Sequence, residues 1–182
     1  MVNISKLKLT NLQQEILRLL FIKTGISLNA RAIARFLEVS QPAVSKALPL
    51  LEKESIIKLE KDKDSKRLSI ELNRDSQNIM WLKRADNLKQ IYESGLVQYL
   101  YDTLPESTII LFGSYAFGED TITSDIDIAI IGEQKKELNF IVYEKILERK
   151  IIANYYDSFK KINKYLLNSI LNGIILKGAI DL

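Results

Sequence analysis

The stretch LFGSYAFGEDTITSDIDIAIIG, residues 111–132, joins two apolar runs through a glycine–serine step and a pair of aspartates. The first run, Thr108 to Phe112, reads as a strand. Gly113 and Ser114 follow it, and Ser114 to Phe117 reads as the start of a short helix. Next comes an isoleucine-rich strand with Asp125 and Asp127 two residues apart. Side chains alternate along a strand, so both carboxylates project to one side while Ile126, Ile128 and Ile130 project to the other. Like charges this close raise one another's pKa and oppose folding unless a cation neutralises them, and an all-oxygen environment selects a hard ion, Mg²⁺ or Mn²⁺. Gly113 lets backbone approach a phosphate closely, and Ser114 adds a hydroxyl and backbone N–H groups. The pattern therefore predicts an anion cradle beside a metal site.

Taken as a unit, GSxxxG followed by SDIDI resembles the signature of the DNA polymerase β-type nucleotidyltransferases, in particular their minimal single-domain members. The resemblance spans residues 95 to 178. It implies that Gly113 and Ser114 bind a nucleoside triphosphate such as ATP, and that Asp125 and Asp127 are the catalytic, metal-binding pair. It further implies transfer of a nucleoside monophosphate to an acceptor hydroxyl on a protein, an RNA or a small molecule. Minimal members of that superfamily often act as antitoxins that modify a separately encoded helical toxin, so a protein partner is a further implication.

Family members also supply a third acidic residue from another strand to hold a second metal and favour deprotonation of the acceptor. The matching strand here is expected at Ile151 to Tyr156, within IIANYYDSF, and it contains no carboxylate. Asn154 is the polar residue at its centre; an amide can coordinate a metal but cannot act as a base. Glu148 and Asp157 only flank it. Two readings remain open: an enzyme of nucleotidyl transfer, or a regulator whose degenerate nucleotidyltransferase domain senses nucleotide or binds a partner.

Upstream, Thr10 or Asn11 caps a helix with Leu12, Ile16, Leu19, Leu20 and Ile22 at helical spacing, ended by Gly25. A second helix from Asn29 buries Ala32, Ile33, Phe36 and Leu37. Ser40 caps a third, with Pro42 in its first turn and Val44, Leu48 and Leu51 facing inward. Pro49 inside this helix removes a hydrogen bond and predicts a kink costing about 3 kcal/mol. Ile57 and Leu59, then Leu68, Ile70 and Leu72, alternate with polar residues around the charged segment KDKDSK, which reads as a hairpin with a basic tip diluted by Asp62 and Asp64.

Three helices and a hairpin in this order resemble the winged helix-turn-helix of MarR- and ArsR-like transcription regulators over residues 5 to 73. The resemblance implies double-stranded DNA as partner. Gln41, Ser45 and Lys46 would meet base edges, and Lys61, Lys63, Lys66 and Arg67 would meet phosphates or the minor groove. It also implies a homodimer that reads paired half-sites.

Charge supports the division. Residues 1–74 carry 14 Lys+Arg against 8 Asp+Glu, a net +6, whereas residues 75–182 carry 12 against 15, a net −3. Cysteine and histidine are both absent, which excludes disulfides, thiolate metal sites and histidine-based catalysis. No stretch approaches the roughly 18 apolar residues of a membrane span, and the expected location is the cytoplasm. The expected architecture is a two-domain α+β chain: a winged helix at 1–74, a connecting helix at 75–94 and a small mixed-sheet nucleotidyltransferase fold at 95–182. In the last part, helices are expected at 95–104, at Leu138 to Leu147 and at Phe159 to Asn172, the last ended by Gly173. Tyr155 and Tyr156 read as packing for the sheet.

Overall fold

Thr10 opens the first helix, α1 (Asn11–Ile22), through a reciprocal cap: its side chain accepts from Gln13 N while Gln13 Oε1 accepts from Thr10 N. Gln13 is buried, and its Nε2 donates to Ala47 O at 3.1 Å. That bond ties α1 to the third helix at a point where an apolar side chain could not pair the carbonyl. Asn29 caps α2 (Ala30–Phe36) and Ser40 caps α3 (Gln41–Lys53), each by accepting from a backbone N–H three residues on. β1 (Ile57–Lys61) and β2 (Leu68–Leu72) form an antiparallel hairpin, and a bridge from Leu28 to Ile70 extends it. Ile16, Leu20, Ile33, Val44, Leu51, Ile56 and Ile70 are nearly or fully buried and form the core of this part.

This computed structural model describes residues 8–61, 68–132 and 135–181. The chain divides into two compact units, Met1–Ile79 and Met80–Leu182. α4 spans Gln77–Glu93. Within the second unit, α5 (Leu96–Thr103) leads to β3 (Thr108–Phe112), followed by α6 (Gly113–Phe117) and β4 (Ile126–Ile131). After them come α7 (Ile141–Leu147), β5 (Ile151–Tyr156), a 3₁₀ turn at Phe159–Lys161, α8 (Lys164–Leu171) and β6 (Ile174–Lys177). The sheet order is β5-β4-β3-β6; β4 and β5 are parallel and the other pairs antiparallel. The mixed α+β class and the succession of winged helix and small mixed sheet are as expected.

Alternation along the strands divides the second core in two. Ile109, Leu111, Ile126, Ile128 and Ile130 pack on one face with Leu96, Leu100 and Leu104. Ile110, Phe112, Ala129 and Ile131 pack on the other with Phe159, Ile162 and Ile170. Asp127 lies in β4 between Ile126 and Ile128, so it belongs to this second face.

Three details depart from the sequence reading. β4 begins at Ile126, so Asp125 stands at its threshold instead of inside it. The expected helix from Phe159 to Asn172 is two pieces, because Ile162 and Asn163 turn extended and Asn163 caps α8 by accepting from Tyr165 N. β6 is an additional strand: Gly173 lies so close to β3 that a Cβ there would stand 2.4 Å from Leu111 O, and the chain beyond it pairs with β3. Pro49 lies inside α3, which spans Gln41–Lys53, and is exposed.

Ile128 is fully buried at the centre of the sheet. Ile128→Ala should destabilise the second unit by about 2–5 kcal/mol, read as a lowered urea midpoint with an unchanged m-value.

Candidate functional site

The antiparallel register of β3 and β4 sets Phe112 opposite Asp127. Gly113 follows Phe112 directly and adopts φ +74°, a left-handed conformation that glycine tolerates. A Cβ built on Gly113 would stand 2.5 Å from Asp127 Oδ2. The residue therefore has to be glycine on two counts, backbone angle and space. Ser114 is half-buried in the first turn of α6, and its carbonyl accepts from Glu119 N at 2.9 Å. The turn into β4 is closed by Ser124 N donating to Thr121 O and Thr121 N donating to Ser124 Oγ, which fixes the approach to Asp125.

Asp125 is exposed and Asp127 half-buried. Burial pushes the Asp127 carboxyl above the ordinary aspartate value, and the charge on Asp125 pushes it further the same way. Burial also raises the Tyr156 phenol, and the negative charge of Asp127 adds to that shift. The structure thus brings Gly113, Asp125 and Asp127 together with Ser114 adjoining.

β5 runs parallel to β4 with Ile152 beside Asp127 and Asn154 beside Ala129. Asn154 shares the face of Asp127 but stands one pair further along, and the immediate neighbour is an aliphatic side chain. Asp157 forms an ion pair with Lys161, and Glu148 is an exposed left-handed residue that closes α7. Glu144, which sequence reasoning passed over, accepts from Ile151 N at 2.9 Å and so serves the start of β5. Among the described residues no group of three or more His, Cys, Asp or Glu side chains gathers to hold a metal.

In the first unit Gln41, Ser45 and Lys46 are exposed on α3, and Lys61 is exposed at the end of β1. Lys63, Lys66 and Arg67 lie outside the described residues, as do Asp62 and Asp64. Gln41 and Ser45 open onto a cleft of about 510 Å³ that Asn29 and Arg31 of the α2 start share, with Leu48 and Pro49 as apolar wall. Arg35, one turn beyond Arg31, lines an adjoining hollow with it. The i, i+4 spacing of these arginines, opposite the buried Ile33, could have placed both on the exposed face of α2 from sequence.

The model of the MarR family matches residues 9–69, and that of the nucleotidyltransferase domain matches residues 94–176. The chain joins a MarR-family domain to a nucleotidyltransferase domain.

Solved structures similar to it include the adhesin competence repressor AdcR of Streptococcus pyogenes, at 31% identity over 52% of this chain and 69% of that one, TM-score 0.39. The zinc-responsive MarR family member ZitR of Lactococcus lactis matches at 24% identity over 57% and 68%, TM-score 0.42. A MepR mutant from S. aureus matches at 27% identity over 42% of this chain, TM-score 0.37, and the chain spans 56% of its length. No curated protein matches the chain. No helix among the described residues is long and apolar enough to cross a membrane.

A carboxyl whose pKa is raised by folding weakens the fold at every pH above its folded value, and the penalty vanishes as pH falls below the unfolded value near 3.8. Asp127→Asn should therefore raise the Tm of the metal-free protein at neutral pH, with a gain that shrinks to nothing as pH falls below about 3.8; scanning calorimetry from neutral pH to below that value checks it.

Proposed function

We propose that this chain is a DNA-binding regulator whose C-terminal domain holds a magnesium nucleoside triphosphate, ATP or a close relative. The seating of the bare Cα of Gly113 on the Asp127 carboxylate carries the nucleotide half of the reading. Any side chain at position 113 would collide with that carboxylate and separate the glycine backbone from the acidic pair. Ser114 would add its hydroxyl to the phosphate. Asp125 and Asp127 fit Mg²⁺ or Mn²⁺, hard ions that prefer carboxylate oxygens, and when bound such an ion neutralises both the acidic pair and the triphosphate. The raised carboxyl of Asp127 supports this, because a neighbouring cation relieves the cost of ionising it.

The family's chemistry is transfer of a nucleoside monophosphate to an acceptor hydroxyl. That hydroxyl must give up its proton, and the strand that usually brings a carboxylate for the purpose offers Ile152 and Asn154. This favours a second reading, in which the domain binds nucleotide and transfers it slowly or not at all, acting as a sensor for the DNA-binding half.

The DNA-binding half is supported by the MarR-family match, the +6 charge of residues 1–74 and the exposure of Gln41, Ser45, Lys46 and Lys61. Arg31 and Arg35 join them as phosphate contacts. Two copies would pair so that their α3 helices enter successive major grooves about one turn of DNA apart.

Titration calorimetry with Mg²⁺ should give saturable ATP binding that the Asp125→Asn, Asp127→Asn double variant lowers at least about tenfold. Equal affinity in both proteins would remove Asp125 and Asp127 from the site. With α-labelled triphosphates and cell lysate as acceptor, label transfer should be faint, and robust transfer abolished by Asp125→Ala would return the domain to full catalysis.

For DNA, log affinity should fall linearly with log salt, and replacing Lys61, Lys63, Lys66 and Arg67 by alanine should flatten the slope by about 0.9 for each phosphate that is no longer neutralised. An unchanged slope would refute the wing assignment.

A further inference from the structure

The second unit buries a polar cluster for which the function above has no use. Asp120, 1% exposed, accepts from the fully buried Lys83 Nζ, from Asn87 Nδ2 at 2.7 Å and from Arg149 Nη2 at 3.4 Å. A buried ion cluster is expensive to desolvate and stabilises a fold no better than well-packed apolar side chains would. Its placement is more telling than its energy.

Every partner comes from a segment that borders the nucleotide site. Asp120 lies on the link between α6 and Asp125. Asn87, on α4, donates from the same Nδ2 to Tyr115 O at 2.9 Å and so also grips α6. Arg149 precedes Lys150, whose carbonyl accepts from Ile126 N at 2.8 Å at the first residue of β4. Gly118, at the end of α6, is packed against the backbone of α4 so tightly that a Cβ there would stand 2.7 Å from both Met80 O and Arg84 N. α6 has five residues, far too few to be stable alone, so its position is set by what clamps it.

We propose that Asp120, held by Lys83, Asn87 and Arg149, is the positioning residue of the nucleotide site: it fixes the Gly113–Ser114 turn and Asp125 relative to each other through α4 and the start of β4. None of the four touches phosphate or metal in this proposal. They act through the elements that do. The functional meaning of the cluster rests on the magnesium–triphosphate reading, and its structural meaning on the hydrogen bonds alone.

The test uses the full chain and two readouts. Asn87→Ala removes the bonds to Tyr115 and Asp120 but leaves the ion pairs in place; Asp120→Asn keeps an acceptor and removes the charge. Ile131→Ala, a buried change at the end of β4 away from Asp127, is the control for general destabilisation. Hydrogen exchange without ligand should quicken at the amides of residues 113–117 and 124–127 in the first two variants and keep its wild-type rate there in the control. Affinity for the fluorescent probe mant-ATP with Mg²⁺ should fall about 10- to 100-fold in the first two variants, as for other groups that orient a site without joining it, and hold in the control.

Wild-type exchange at these amides in both Asn87→Ala and Asp120→Asn would overturn the positioning role. So would an equal loss of affinity in Ile131→Ala. If the wild-type chain binds no mant-ATP with Mg²⁺, the nucleotide reading fails, and the exchange data alone then decide whether Asp120 positions the turn.

Discussion

A carboxylate and a residue without a side chain share one small space where β3 hands over to α6, and the geometry of the second unit follows from keeping them there. The antiparallel register sets Phe112 against Asp127, which brings Gly113 onto the Asp127 oxygens. A shift of one residue would turn Asp127 toward the face packed by Leu96, Leu100 and Leu104, where an unpaired charge has no tolerable place. The isoleucines of β4 thus protect the site by being needed elsewhere. Ile126, Ile128 and Ile130 hold the strand in the one register that leaves Asp127 half in reach of solvent.

The two units satisfy their interiors differently. In the first, the buried amide of Gln13 meets the carbonyl of Ala47, the buried Thr24 hydroxyl donates back to the end of α1, and the core around them is aliphatic and aromatic. In the second, a lysine, an arginine and an aspartate are taken out of water together near the acidic pair's own loop. Apolar packing tolerates small slides between elements, whereas charge-assisted hydrogen bonds with several donors fix direction as well as distance. A unit that has to hold a few polar atoms in fixed relation gains more from the second kind of contact than a unit that presents a helix to a surface.

Local pattern carried much of this fold into the sequence. Thr10 announces the start of α1, Ser40 and Pro42 announce α3, and the glycine between Phe112 and Ser114 announces the turn, because caps and turns are decided within a few residues. What could not be read is what depends on distant partners. Lys83 and Arg149 stand 37 and 29 residues from Asp120, and no periodicity links the three. Asp120 itself sits between the glycine–serine step and the aspartate pair. The neighbour of Asp127 in β5 is a matter of register between strands, so the sequence could nominate Asn154 by its chemistry but could not see Ile152 in the closer seat. β6 was hidden for a related reason: Ile174 to Lys177 is too short to stand out until β3 offers it an edge.

Gly113 and Asp127 also have an evolutionary reading. In the metal-free protein the Asp127 charge is a burden on the fold, and once that carboxylate shortens or disappears, most of the steric bar against a side chain at 113 goes with it. A site that had fallen idle would therefore drift downhill at Asp127, while the left-handed angle at 113 would still favour glycine there. This chain has no carboxylate on β5, yet it keeps the more costly pair intact.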